Sequence, residues 1–397
     1  MSAPRYYLEP YERTFNAHVL KHENDWFLLD STLFYPGGGG QDPDTGTLGG
    51  HSVVELDSRP DGVWHKVPGL TKPVGEAVSG EIDWANRYDL MRGHTGEHLL
   101  FSTLLKLNPG LTNVKVAIKR GHCSIFMNGP LTLEDVEKAL VIVNGEIGRG
   151  RPVKREVVPI EQAKASGLVR GKWDNIKSAE ISCITIEGLD SSACAGVHIS
   201  NISELGALAV KRLVKGKGSD LELEFAFAEE AARLMAKDNR LALELTAMLN
   251  APPETVVQAV ANLSSECDRL KDAQDVYVKS YLDQLKPERV GAYDLYWHVF
   301  QGVNQKEVNR WAATKVLQKG TFVLAFNRGK NVSVLFSASH DAQVDCNAML
   351  KELLVQFDGR GGGTPKCAQG GVGDYAPLDK MVQWFKDKLS VVPLPGQ

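Results

Sequence analysis

The spacing of apolar positions along this chain changes near residues 85, 227 and 287, and each stretch predicts a different kind of structure. Up to residue 85 the apolar positions come in short alternating runs. Asn16–Leu20, Trp26–Asp30, His51–Asp57 and Gly62–Val67 are separated by Gly, Pro and Asp, which reads as short strands of a barrel or sandwich. From Asp83 the period becomes helical: Trp84–Leu107 carries one continuous pattern that ends before Asn108-Pro109-Gly110. Strand-like runs follow at Lys115–Ile118 and Cys123–Met127. Thr132 then opens a second helix, which runs to about Gly148 with Glu134 and Asp135 in its first turn, where acidic groups favour the positive end of the helix dipole. Further strands at Arg155–Val158, Ile181–Ile186, Ala207–Val214 and residues 221–227 complete an α/β middle module, 86–227.

Residues 229–285 are helical, broken at Pro252-Pro253. In the second arm Val256, Val260, Leu263, Cys267 and Leu270 form a heptad-like seam, expected to be covered inside an antiparallel hairpin at 228–287, with a coiled coil between chains as the alternative. Beyond Pro287 the runs Tyr293–Phe300, Glu307–Leu317, Thr321–Asn327, Val332–Ser337 and Ala342–Phe357 read as strand–helix–strand–strand–helix, a small α/β module at 288–397. The expected fold class is α+β and multidomain.

Composition narrows the function classes. With 43% hydrophobic and 24% charged residues the chain has material for a sizeable core. No run of about 18 apolar residues suggests a membrane span. Met1–Pro10 lacks the basic and apolar regions of a secretory signal. Cys123, Cys183, Cys194, Cys267, Cys346 and Cys367 are scattered, so a reducing compartment, the cytoplasm, is expected. Net charge is −4, which does not mark the whole chain as a polyanion binder. Residues 86–217, however, hold 19 Lys/Arg against 13 Asp/Glu between acidic flanks. That is either a focused phosphate-binding face or uneven surface decoration.

The chemistry concentrates in four places. In His94-Thr95-Gly96-Glu97-His98, histidines at i and i+4 of a helix share one face and can reach one metal. In Cys194-Ala195-Gly196-Val197-His198, a thiolate and an imidazole flank small residues, as a tight metal-binding turn requires. Together the pairs offer a His, His, Cys, His donor set, which suits Zn2+ rather than the oxygen-seeking Mg2+ or Ca2+. Packing roles for Cys194 and His198 are the alternative. Gly37-Gly38-Gly39-Gly40-Gln41, after Phe34-Tyr35-Pro36, would let backbone approach a ligand, or form a flexible hairpin loop. Gly359 to Gly373 holds two further glycine clusters with Arg360 and Lys366, either a phosphate cradle or tight turns.

All four signals occur, in this order, in one family. The chain resembles the editing half of alanyl-tRNA synthetase and its free-standing relatives, the long-form alanyl-tRNA editing proteins. Asp30 to Gln41 matches the family's Asp-x-Thr-x-Phe-Tyr-Pro-x-Gly-Gly-Gly-Gln pattern, and His94 to Leu100 its His-Thr-x-x-His-Leu-Leu pattern. Cys194 to His198 matches Cys-x-Gly-x-His, with Ala195 and Val197 departing from the commonest residues, and Gly188-Leu189-Asp190 also fits. The Arg360–Gly373 segment is similar to the glycine-rich signature of the synthetase's C-terminal, DHH-associated domain.

The resemblance implies a translation-factor-like β-barrel at 1–85, a zinc-containing two-layer editing core at 86–227, a helical hairpin, and a C-terminal domain that aids dimerisation or tRNA contact. It implies hydrolysis of tRNA(Ala) mischarged with serine or glycine, with zinc held by His94, His98, Cys194 and His198. A pocket that admits alanine discriminates against one small group by only about 1–3 kcal/mol, so a second, oppositely selective site is needed. By resemblance Thr32 supplies a hydroxyl that bonds the serine hydroxyl, Gly38, Gly39, Gly40 and Gln41 line the substrate, and Asp190 joins them. Glu97 orients a water or is simply a solvent-facing helix residue. Four protein ligands close a tetrahedral zinc, so either one of them, such as His198, leaves, or zinc chiefly orients the site.

Three rivals follow from the same residues. His-x-x-Glu-His at 94–98 is literally the inverted zinc-peptidase motif, with Glu97 as general base. That reading leaves the Cys194/His198 pair unused, and Glu97→Gln discriminates: a peptidase is silenced, an editing enzyme only modestly slowed. Gly39-Gly40-Gln41 is similar to the tripeptide of release factors, which leaves both zinc pairs idle. The third rival is a tRNA-binding protein with a purely structural zinc.

Overall fold

A computed structural model of the chain describes residues 4–176, 178–329, 331–373 and 376–393; the first three and last four residues of the sequence-predicted end modules lie outside the described residues. The contacts divide the chain into two compact units, residues 1–244 and 245–397. Helix α5 (Ala228–Leu249) carries the chain from one to the other.

The first unit begins with a short helix, α1 (Arg5–Leu8), and a seven-stranded antiparallel sheet. Its strands run in the order 51–53, 46–48, 77–82, 14–23, 26–29, 62–66, 55–59. The two edge strands are successive pieces of one segment, separated by Val54 alone, so the chain steps from one edge of the sheet to the other and the sheet curls toward closure. Phe15, Val19, Phe27, Leu33, Phe34, Leu48 and Val78 fill the space inside. The alternation that predicted strands is genuine in Thr14–Glu23 but hidden in Ala77–Ile82. There a buried glycine, Gly80, replaces an apolar side chain because the Phe15 ring would lie 2.2 Å from any Cβ.

Helix α2 (Trp84–Leu107) has the bounds the sequence predicts. The Asp83 carboxylate accepts the Asn86 N–H at its start. It is buried on nearly every side, as the central element of its unit must be. Gly93 and Gly96 let it lie close to a four-stranded sheet: a Cβ there would meet Cys123 Sγ at 2.6 Å and the Phe225 ring at 3.2 Å. That sheet is antiparallel, in the order 208–215, 221–227, 122–128, 112–119. Helix α3 (Leu133–Arg149), closed at its start by a Thr132–Asp135 capping box, packs on α2 through Val136, Ala139 and Val143. A third sheet joins 153–159, 180–186 and 190–193, with helix α4 (Ile160–Ser166) beside it. The barrel is pinned to α2 by a fully buried ion pair, in which Arg87 donates to both Asp44 carboxylate oxygens and to the carbonyls of Leu33 and Pro10.

In the second unit α6 (Val256–Gln284) follows the break at Pro253–Thr255. Along α6, Val260, Leu263, Cys267 and Leu270 of the expected seam find no cover within their own unit. The C-terminal third of α6 is anchored in its own unit: Leu282 and Val278 pack with Tyr296, Val308 and Trp311, the Gln274 amide donates to the Gly302 carbonyl, and Asp275 accepts from the Asn304 amide. A six-stranded sheet follows, in the order 288–290, 293–301, 321–328, 332–338, 367–372, 360–363, with one parallel pair, 293–301 beside 321–328. Helix α7 (Gln305–Lys315) connects that pair, and α8 (Cys346–Gln356) and α9 (Leu378–Ser390) pack into a second cluster with Phe322, Phe336 and Met381. The C-terminal glycines form the hairpin 360–363/367–372. A Cβ on Gly361 would stand 2.4 Å from Gly370 and 2.9 Å from Leu354 of α8, so these glycines serve close helix-on-hairpin packing. Among the described residues no helix is long and apolar enough to cross a membrane.

Candidate metal and editing site

Helix α2 presents His94 and His98 one turn apart, and the turn after strand Asp190–Ala193 brings Cys194 and His198 to them. The four ligand atoms lie within 4.8 Å of one another. Cys194 Sγ is 3.4 Å from both His94 Nε2 and His198 Nε2, close to the roughly 3.5 Å edge that Zn–S and Zn–N bonds subtend at a tetrahedral ion. The expectation that two distant sequence pairs converge is therefore met.

The surroundings fix which nitrogen of each ring faces the cluster. His94 Nδ1 is 2.8 Å from Gln41 Oε1, His98 Nδ1 is 3.3 Å from Asp190 Oδ2, and His198 Nδ1 is 3.1 Å from Thr95 Oγ1. Thr95 spends its own proton on the Met91 carbonyl, so toward His198 it accepts. Each ring thus donates from Nδ1 and leaves Nε2 free, the arrangement that orients metal-bound histidines. This donor set fits one zinc ion. Burial alone would raise the Cys194 thiol, but the imidazoles of His94, His198 and His98 pull it well below its ordinary value. Burial and the neighbouring His94 push His198 down to about 3. His98 loses to burial but gains more from the Cys194 thiolate and Asp190, and is pushed up to about 10. Asp190 is held down at about 2: burial opposes this, but His98 and a bidentate Arg170, at 2.7 and 2.8 Å, outweigh it.

A cavity of about 680 Å³ opens beside the cluster. His94, His98, Cys194 and Glu97 line it, with Gly39 and Gly40 at one side, Phe101, Leu105 and Leu111 as an apolar wall, and Lys115, Arg170 and Lys172 as cations. Glu97 is not solvent-facing: it is buried, its carboxylate receives the Asn113 amide at 3.2 Å, and it lies 3.9 Å from His98 Nε2.

The glycine loop is a built structure and not a flexible one. Gly37 to Gly40 all have positive φ, and a Cβ on Gly40 would stand 2.5 Å from the Val116 carbonyl. Bonds from Ile118 N–H to Gly40 O and from Asp42 N–H to Ile118 O stitch the loop to the core sheet. That register delivers Gln41 to the cluster. Its Oε1 receives both His94 Nδ1–H and, at 3.1 Å, Val197 N–H, which settles the orientation of the amide. Gln41 Nε2 is then a buried donor without a partner. Gly38 stays inside the loop, its carbonyl accepting the Tyr35 hydroxyl at 3.0 Å.

Thr32 stands apart. It is half-buried at the root of the loop and does not line the cavity. Its hydroxyl lies 2.8 Å from Nε2 of the buried His65, whose Nδ1 donates to the Phe27 carbonyl, so Thr32 donates to the ring. It also accepts the Phe34 N–H at 3.1 Å.

No family model matches the chain. Over 385 residues it is 29% identical to the alanyl-tRNA editing protein AlaX-L of Pyrococcus horikoshii, covering 92% of this chain and 94% of that protein. It is also 27% identical to the alanine–tRNA ligase of Sulfurisphaera tokodaii over 97% of this chain. Along nearly the whole length of both chains it is thus similar to an alanyl-tRNA editing protein. It spans only 44% of the length of that ligase. Among solved structures, the C-Ala domain of Aquifex aeolicus alanyl-tRNA synthetase aligns with 27% of the chain at 26% identity and a TM-score of 0.25.

Several residues of this site carry no local signal in the sequence. Arg170 orients Asp190 from 20 positions away, and Asn113 meets Glu97 from 16. Thr95 was in view only as a spacer between the histidines, yet it holds His198.

Proposed function

We propose that the chain deacylates tRNA(Ala) mischarged with serine or glycine by hydrolysing the ester to the terminal ribose. The observation that carries this reading is the juxtaposition of a zinc-competent His, His, Cys, His cluster, an uncommitted Gln41 amide and a glycine-walled cavity. Zinc, when bound, supplies positive charge that polarises or orients an oxygen or amine ligand and holds the four side chains in register. The chain's own groups do the rest. Gln41 Nε2 donates to the ester carbonyl, which also satisfies an amide whose burial without a partner costs about 1–3 kcal/mol. Glu97, steadied by Asn113, accepts a proton-bearing group, the attacking water or the substrate amine. The cations Lys115 and Lys172 at the cavity wall face the phosphates of the acceptor end. Thr32, outside the cavity wall, acts indirectly: its hydroxyl, tied to His65 and to the Phe34 N–H, fixes the root of the glycine loop.

The test is release of amino acid from Ser-tRNA(Ala) and Ala-tRNA(Ala). The serine ester is cleaved much faster, and His94→Ala and Cys194→Ala abolish cleavage. Zinc-loaded protein that binds tRNA(Ala) yet releases serine no faster than buffer is a binding protein with a structural metal, and the proposal fails.

A further inference from the structure

We infer that Tyr7 and Arg155 are positioning residues that brace the Cys194–His198 turn from its outer side, making the N-terminal helix part of the metal site. The inference rests on the reading of this cluster as a zinc site. The turn supplies two of the four ligands from a segment outside any helix or strand, so its own backbone does little to hold it. Two of its three interior carbonyls are instead taken by side chains. The Tyr7 hydroxyl donates to the Ala195 carbonyl at 2.6 Å, and the Arg155 guanidinium donates from Nη2 to the Gly196 carbonyl.

The two braces are themselves one unit. Arg155 Cζ lies 3.9 Å above the Tyr7 ring, and its Nη1 donates to Ser182, whose carbonyl accepts the Cys194 N–H at 2.9 Å. Tyr7 in turn packs edge-on against Tyr6, with ring centres 4.5 Å apart, and Tyr6 packs on Tyr35 at the foot of the glycine loop. Four residues on from Tyr7, Tyr11 receives the Ser200 N–H at 2.7 Å and bonds Glu204, so the same N-terminal segment also holds the chain just past His198.

Arg155 has no carboxylate ion-pair partner among the described residues, and burial lowers its basicity. A mostly buried guanidinium that spends its fork on a carbonyl and a serine hydroxyl is costly for stability alone; its geometric return is a fixed turn. The inner face of the turn has no room for adjustment either. Gly196 N–H approaches Cys194 Sγ at 3.4 Å, and a Cβ on Gly196 would stand 2.1 Å from the His94 ring. With the inner face packed against a ligand and the outer face clamped, Sγ and Nε2 are preset for the ion. Removing the clamp frees the turn to swing outward, which is the motion that releases metal.

The experiment uses the full-length zinc-loaded protein and reads zinc transfer to an excess of a colorimetric chelator, with bound zinc counted beforehand. Tyr7→Phe and Arg155→Lys each keep bulk or charge and remove one specific contact. Each releases zinc about tenfold faster than wild type, the low end of what loss of an outer partner of a metal ligand does. In deacylation of Ser-tRNA(Ala) kcat falls while KM holds. The double variant releases zinc no faster than the product of the single effects, because Arg155 and Tyr7 hold each other. Far-UV circular dichroism confirms that each variant is folded. Folded variants with lowered melting temperature but wild-type zinc release overturn the inference, as does an Arg155→Lys protein indistinguishable from wild type. A wild-type protein that carries no zinc at all fails the underlying site reading instead, and the count of bound metal separates the two.

Discussion

Acidification unseats the barrel through one histidine. His65 is fully buried behind Thr32, with Nδ1 on the Phe27 carbonyl, and burial lowers its pKa from 6.5 to about 4. In the folded chain the ring stays neutral down to about pH 4, whereas in the unfolded chain it takes up a proton from pH 6.5 downward. The stabilisation that comes from its neutral form is therefore complete above pH 6.5 and is lost as pH falls from 6.5 to about 4, with no further loss from this group below that. A shift of this size corresponds to about 3 kcal/mol between pH 7.5 and 4, a large share of the stability of a typical domain. The assay is chemical unfolding of wild type and His65→Gln across that range, with the imidazole proton resonances followed in parallel. Gln at this position can still accept from Thr32 and does not titrate, so the wild type loses about 3 kcal/mol more than the variant on acidification. Parallel pH profiles for the two proteins, or a His65 resonance that titrates near 6.5, would refute the reasoning. Once Nε2 carries a proton it can no longer accept from Thr32, and the hydroxyl at the root of the glycine loop must find another orientation.

Two further perturbations probe the site. Asp190→Asn keeps the shape but removes the charge that faces both His98 and Arg170, so zinc affinity falls about 10–100-fold in a competition titration, while an unchanged affinity would mean that Asp190 only ties down the loop. Gly40→Ala drives a Cβ into the Val116 carbonyl in a left-handed backbone, lowering the melting temperature and cutting deacylation at least tenfold; Gly39→Ala meets no atom within 4 Å and costs only backbone strain of about 1–2 kcal/mol, so equal damage from the two would refute the packing account.

What the sequence makes legible is whatever sits at a fixed local spacing. Helix α2 can be read to its last residue because a capping aspartate and an Asn-Pro-Gly stop bracket an unbroken period. The metal ligands are legible for the same reason, as two i, i+4 pairs whose chemistry points to one ion. Helix α9 was equally open to reading, since Leu378, Met381, Val382, Phe385 and Leu389 trace one buried face. Other elements are hidden by what replaces apolar side chains. Strand Ala77–Ile82 loses its alternation to Gly80, Asp190–Ala193 is a strand without a large apolar residue, and the hairpin 360–372 looks like turns because its glycines make room for Leu354. The heptad seam of α6 marks a limit of the same reasoning: period alone says that a face is apolar, not what covers it, and Leu263 and Leu270 find no cover within their own unit. The roles of the residues that orient the ligands are illegible in the sequence, even where, as with Gln41 and Asp190, resemblance marks the residue itself. Tyr7, Gln41, Thr95, Arg155 and Asp190 are brought to the cluster from five separate segments, and each acts through a hydrogen bond whose partner is named only once the chain has folded. A ligand set is thus a property of sequence spacing, whereas the direction in which each ligand points is a property of the tertiary structure, and reactivity depends on the direction.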